Sequence, residues 1–126
     1  MAILGNNTIL ASTNLTGGGQ VCVFQASASG TITSLSMYIR STGTANIKYV
    51  IYSSVAGVPT NLLAESSLST IGTSFSWVTL SISYSFVSGE NLFIGTLCDD
   101  NTEVACDSGA VNQTYQDSAF WSTYPT

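Results

Sequence analysis

The sequence predicts an all-β protein, a single antiparallel β-sandwich with jelly-roll-like winding and near-zero helix, over residues 1–126. Three observations carry the prediction. Apolar residues recur at every second position in short stretches about 8–15 residues apart, the period of half-buried strands. Between these stretches stand Gly, Pro, Ser and Asn, and no apolar residues repeat at helical spacing. In Asn46–Tyr52 both alternation faces are apolar or aromatic, with Ile47, Tyr49 and Ile51 on one, Val50 and Tyr52 on the other, and Lys48 as the only charge. Such a run is a central strand covered on both sides, and the other strands are its neighbours.

The elements follow in chain order. Thr8–Ser12 is a short candidate strand, and Asn14–Gly19 is read as a flexible loop because successive glycines favour no single backbone state. Gln20–Gln25 is the first core strand, apolar on both faces. Ala26–Gly30 is a turn of small residues. In Thr31–Arg40, Leu35, Met37 and Ile39 share one face while Ser34, Ser36, Tyr38 and Arg40 share the other. Ile32 is out of phase with this set, so a bulge or turn is expected near Thr33. Ser41–Ala45 leads into the central strand.

After Tyr52, Gly57 and Pro59 predict an irregular arm crossing the sandwich, anchored by Leu62 and Leu63. Glu65–Ser76 is a polar strand or loop. Trp77–Phe86 sets Val78, Leu80, Ile82, Tyr84 and Phe86 against Trp77, Thr79, Ser81, Ser83 and Ser85, the most regular alternation in the chain. Val87–Glu90 is a turn and Asn91–Cys98 the last long strand. The expected core is Val21, Val23, Leu35, Met37, Ile39, Ile47, Tyr49, Ile51, Val78, Leu80, Ile82, Leu92 and Ile94.

Composition limits the function. The chain is 44% hydrophobic but only 7% charged, against about 25% charged in an ordinary soluble domain, so its surface is built from hydroxyls and amides. Two cations, Arg40 and Lys48, and a net charge of −5 supply no footprint for phosphates, and nucleic acid is not an expected partner. No window of 18 apolar residues predicts a membrane span, and Met1–Leu10 lacks the pattern of a signal peptide. If the chain reaches the outside of a cell, it does so by another route, such as release inside a virus particle, or after a signal has been removed.

The chain contains no His, which removes histidine-based triads and histidine metal sites and makes a non-enzymatic role the expectation. Asp99, Asp100, Asn101, Glu103 and Asp107 lie together between Cys98 and Asp107, an oxygen-rich stretch. It reads either as a solvated loop or as a weak Ca²⁺ site. Cys98 and Cys106 bracket it at a spacing that permits a disulfide worth roughly 2.5 kcal/mol in the chain-entropy model. With three cysteines in all, Cys22 then remains a reduced core residue. The sequons at Asn6, Asn14 and Asn112 are no more than this composition yields by chance. Tyr38 and Trp77, on outward-facing positions, either pack on the sandwich face or serve as platforms for stacking on sugar rings. Five of the seven acidic residues fall in Asp99–Thr126, followed by Phe120, Trp121 and Tyr124; these rings either close the end of the sandwich or form a patch for a partner.

Ala28-Ser29-Gly30-Thr31-Ile32-Thr33-Ser34-Leu35, Tyr38, Ile51-Tyr52-Ser53, Gly57-x-Pro59, Leu62-Leu63-Ala64, Trp77-Val78-x-Leu80 and Gly89-x-x-Leu92-Phe93-Ile94-Gly95 together resemble a family of β-sandwich domains. That family recurs in phage structural proteins and in bacterial surface or secreted proteins, some of them carbohydrate-binding-like. The likeness spans roughly residues 20–97 and marks scaffold positions, so it transfers no functional residue. Where relatives often carry Tyr-Trp in the last strand this chain has Leu92-Phe93, so no sugar platform is expected there. The resemblance, with a domain standing alone from Met1, implies a virion component such as a head decoration or tail-associated subunit. Its partners would be copies of itself, as a homo-oligomer, and other virion proteins. The contact elements would be Gly17, Gly18, Gly19, Phe120, Trp121 and Tyr124. The alternative it implies is a glycan-binding module of a bacterial surface or secreted protein.

Overall fold

The computed structural model describes residues 12–16, 19–26, 28–99, 102–106 and 114–117, with side chains described from residue 25 to 99, residue 27 excepted. These residues form ten strands and no helix. They are β1 (Ser12–Thr16), β2 (Gly19–Gln25), β3 (Gly30–Ser41), β4 (Ala45–Val55), β5 (Val58–Glu65), β6 (Ser69–Ile71), β7 (Ser76–Phe86), β8 (Asn91–Cys98), β9 (Thr102–Cys106) and β10 (Thr114–Asp117). Every pairing is antiparallel. One sheet has the order β1-β9-β3-β7; the other runs β10-β2-β8-β4-β5, with β6 beside β5 on the same flank of β4. The chain crosses between sheets at every step except β4–β5 and β5–β6, so most consecutive strands sit in opposite layers of a sandwich.

Strand β4 lies at the centre of its sheet, between β8 and the β5/β6 edge. Ile47, Tyr49 and Ile51 point at the opposite sheet and are fully buried. Ile51 joins Ala26, Ile32, Ile82, Phe86 and Leu92 in one half of the core, and Ile47 and Tyr49 join Ile39, Ala45, Ile71 and Cys98 in the other. Val50 and Tyr52, on the face turned away, are also at 0% and 1% exposure, as are their β8 neighbours Phe93 and Leu97 at 1% and 3%. The double-sided apolar pattern of Asn46–Tyr52 is therefore matched by burial on both faces. Leu35, Met37, Val78 and Leu80, on β7 and its neighbour β3, and Ile94, on β8, pack against the core while only half-buried.

One buried polar bond joins the layers: the Tyr49 hydroxyl donates to the Val78 carbonyl at 2.7 Å. Burial pushes this phenol's pKa up, partly offset by a backbone hydrogen bond at Met37. Ser66 bridges the break between β5 and β6, donating its backbone N–H to the Tyr49 carbonyl and accepting the Tyr49 N–H on its hydroxyl, both at 2.9 Å.

The expected irregularity near Thr33 is present, as the β3–β7 register shifts between Ile32 and Ser34. Ile32 and Leu35 both turn inward while Thr33 and Ser34 are both exposed, which brings two out-of-phase apolar sets into one core. Gly30 sits where a Cβ would meet the Phe86 ring at 3.0 Å, so the glycine admits that ring to the core.

Three expectations are corrected. Residues Val55–Val58 form a two-residue hairpin rather than an irregular arm, with Ala56 and Gly57 at φ 53° and 75°; Pro59 is tolerated because β5 is an edge strand, broken by register shifts against β4. Asn14 to Thr16, read as loop, belongs to β1, which finds a partner in β9. The acidic stretch after Cys98 is not loop throughout, since Thr102–Cys106 is a strand paired with both β1 and β3. In the last two cases a distant partner supplied the hydrogen bonds that local composition did not advertise.

Replacing Tyr49 by Phe should cost about 1–3 kcal/mol in urea unfolding, the penalty for stranding a buried acceptor; a loss below about 0.5 would show that the inter-sheet bond is not a stabilising one. Ala56 holds a left-handed conformation that favours Asn or Gly, and Ala56→Asn should raise stability by about 0.5–1 kcal/mol, read as a higher urea midpoint at unchanged slope.

Candidate functional site

The outer face of the β3–β7 pair is assembled by cross-strand register. Thr31 faces Ser85, Ser34 faces Ser81, Ser36 faces Thr79, and Tyr38 faces Trp77. The inward partners, from Ile32 and Leu35 to Ile39, occupy the core, so alternation drives these residues to solvent. Two hydroxyl pairs are bonded across the strands, Ser36–Thr79 at 2.7 Å and Thr31–Ser85 at 3.1 Å. The result is an uncharged hydroxyl ladder.

At the end nearest Ser76 the ladder gives way to rings. Tyr38 stacks on Phe75 with centroids 5.3 Å apart and planes 12° from parallel, and meets Trp77 at 5.7 Å with a 53° tilt. The Arg40 guanidinium lies over the Phe75 ring at 4.8 Å, an arrangement stabilised by the ring's quadrupole. Arg40, Phe75 and Tyr38 thus form a stack that braces Trp77, which remains 44% exposed. Hydroxyls, a bare indole and a guanidinium make a surface for hydrogen bonding and stacking.

Tyr38 and Trp77, expected from sequence, are brought together. Phe75 and Arg40 complete the cluster and were not assigned to it. Arg40 was detectable as the next outward position after Tyr38; Phe75 precedes β7 in a bend, where alternation carries no signal.

The other candidates fall elsewhere. Asp99 clamps the start of β4, accepting the Asn46 backbone N–H at 2.7 Å and the Asn46 side-chain N–H at 2.8 Å, while the side-chain oxygen Oδ1 of Asn46 accepts the Thr70 hydroxyl at 2.8 Å. Both carboxylate oxygens serve the fold. Among the described residues no cluster of three or more His, Cys, Asp or Glu could hold a metal ion. Glu103 lies in β9 across from Arg40, and Asp100, Asn101 and Asp107 are outside the described residues. Cys98 is buried at the end of β8, and Cys106 ends β9 in the other sheet, opposite Ser12. A bridge between them would tie sheet to sheet rather than close an isolated loop. Gly19 opens β2, while Gly17, Gly18, Phe120, Trp121 and Tyr124 lie outside the described residues.

Besides Tyr49, two phenols away from the ring cluster have displaced ionisation. Tyr84 donates to Glu90, and that hydrogen bond, then burial and the Glu90 charge, pushes its pKa up to about 12. Burial, then the charge of Glu65, pushes Tyr52 up to about 12 as well. Comparison with protein-family models, with curated proteins and with solved structures finds no match. The fold and the site define a class, an all-β sandwich with a flat hydroxyl-and-aromatic outer face.

The raised phenol pKa values give stability a defined alkaline limit. The folded state retains its protons where the unfolded chain, with phenols near 10.0, loses them. Their contribution is therefore complete below pH 10 and lost as pH rises toward about 12. The urea midpoint should fall across that window, more shallowly in Tyr84→Phe; a midpoint flat through the window would contradict the assignment.

Proposed function

We propose that this chain is a non-enzymatic structural subunit of a phage-like virion, a head decoration or tail-associated protein that works by self-association and docking on a repeated shell. The observation that supports it most is β7. Ser76–Phe86 is an 11-residue strand at the edge of its sheet with no charge, proline or glycine in it. Sheets that must stay monomeric guard such edges with lysines, prolines or very short strands. Among the described residues no strand lies beyond this edge, and an edge of this length suits pairing with the same strand of a second copy about a two-fold axis. The low charge agrees, since copies can meet over hydroxyl-rich surfaces without desolvating ions, and the resemblance to phage structural domains points the same way.

The reading places the protein in a virion or outside a cell, with copies of itself and other virion proteins as partners. A second reading, a glycan-binding module of a bacterial surface or secreted protein, is favoured by one observation, the exposed Trp77 braced by Tyr38 and Phe75.

Sedimentation of the purified protein should reveal a concentration-dependent oligomer. The double substitution Ser81→Lys with Ser83→Lys, at exposed β7 positions, should convert it to a monomer with an unchanged circular dichroism spectrum. A wild-type chain that stays monomeric at its highest soluble concentration would overturn the self-association reading.

A further inference from the structure

We infer that the ring cluster and hydroxyl ladder on the outer face of β3 and β7 form a binding site for a neutral hexopyranose oligosaccharide, with Trp77 as the stacking platform. The inference stands independently of virion assembly.

A pyranose ring has an apolar C–H face and a rim of hydroxyls, so a site for it needs a flat ring beside hydrogen-bonding groups of both kinds. Trp77 supplies the ring, exposed at 44%, and its orientation is set from the side by Tyr38, itself stacked on Phe75 beneath Arg40. A platform held this way loses little side-chain freedom when a ligand arrives. The rim partners lie next along the strands. A hydroxyl has one donor and two acceptor positions, so the Ser36–Thr79 pair, bonded to itself at 2.7 Å, still offers one donor and three acceptor positions to a ligand. Thr31 and Ser85 repeat the arrangement further along, and Ser34 and Ser81 face each other between them. Hydroxyl pairs therefore recur along the strands on either side of the register shift at Ile32–Ser34, a strip long enough to follow more than one sugar unit.

Charge selects the class of sugar. The described strip carries no acid, and its one cation, Arg40, lies over the Phe75 ring at the far end of the ring stack from Trp77. A uronic or sulfated sugar stacked on Trp77 would meet hydroxyls, not a paired cation, whereas a neutral sugar finds its full complement of partners. Binding of a neutral ligand should be nearly independent of salt.

The test is a titration of the full chain with a panel of neutral gluco-, manno- and galacto-oligosaccharides, alongside oligogalacturonate and a sulfated oligosaccharide, read by calorimetry and by indole fluorescence in a Trp121→Phe background. At least one neutral oligosaccharide should bind, with an indole shift and a Kd unchanged by added salt. Trp77→Ala should weaken it by roughly ten-fold or more, and Ser36→Ala with Thr79→Ala by a few-fold. Should Trp77→Ala fail to fold, Thr79→Lys, which fills the ladder beside an intact Trp77, should abolish the same binding. Absence of binding by every neutral sugar, binding indifferent to Trp77→Ala and Thr79→Lys, or preference for the anionic probes would each overturn the inference. If Trp77→Ala leaves glycan binding intact but dissociates an oligomer, the face is an assembly contact, which removes the sugar site and leaves the structural reading standing.

Discussion

Strand β4 must be dry on both faces, and the rest of the sandwich answers to that requirement. An apolar strand that is half-wet wastes its burial, while one covered on both sides removes from water every side chain between Tyr49 and Tyr52. Covering the inner face needs a second sheet at core distance, which β3 and β7 provide through Ile39, Ile32 and Ile82. Flanking strands must also satisfy the β4 backbone, which β8 does on one side and β5, Ser66 and β6 do in succession on the other. A central strand in this position has no solvent to fall back on, so each gap in pairing is closed by a specific group.

Those closures explain the placement of several polar residues in a chain with few charges. Asp99 and Thr70 hold Asn46 where β4 enters the sheet. The Lys48 ammonium, on the strand's outer face, meets the Glu65 carboxylate at 2.7 Å. Glu90 accepts from Tyr84 and from the Val87 backbone, and its own carbonyl accepts the Ala26 N–H at 2.9 Å, which ties the end of β2 to the β7–β8 turn. Lys48, Glu65, Glu90 and Asp99 are each held by partners of this kind, which leaves long stretches of the described surface to Ser and Thr.

The contrast between the two faces of the β3–β7 pair links fold to proposed function. Inward positions are chosen by packing; outward positions are free of that demand, yet they carry an ordered series of hydroxyl pairs ending in braced rings rather than the mixed charges of an ordinary solvated sheet. Stacking Tyr38 on Phe75 while leaving Trp77 open spends aromatic surface on rigidity at a place where the core gains nothing from it. An edge strand without charge lies along the same face. The proposals for assembly and for sugar binding draw on these two features separately.

Much of this architecture is decided by the sequence alone. Period-2 alternation determines which residues of β3, β7 and β8 share a face, the doubled apolar pattern makes β4 central, and the phase break at Ile32 foretells the register shift, because side-chain direction in a strand is a local property of the backbone. Half of the candidate site, Tyr38 and Trp77, is legible for the same reason. Tertiary structure alone decides what depends on a remote partner. Strand β9 exists because β1 and β3 lie on either side of it, β5 continues through Pro59 because β5 is the end strand of its sheet among the described residues, and Asp99 becomes a clamp because Asn46 is 53 residues away in sequence but adjacent in space. Phe75 belongs to the ring cluster because a bend folds it onto Tyr38. Pairing, bends and clamps are settled by which surfaces meet when the two sheets close, and that information is spread over the chain rather than held in any one stretch of it.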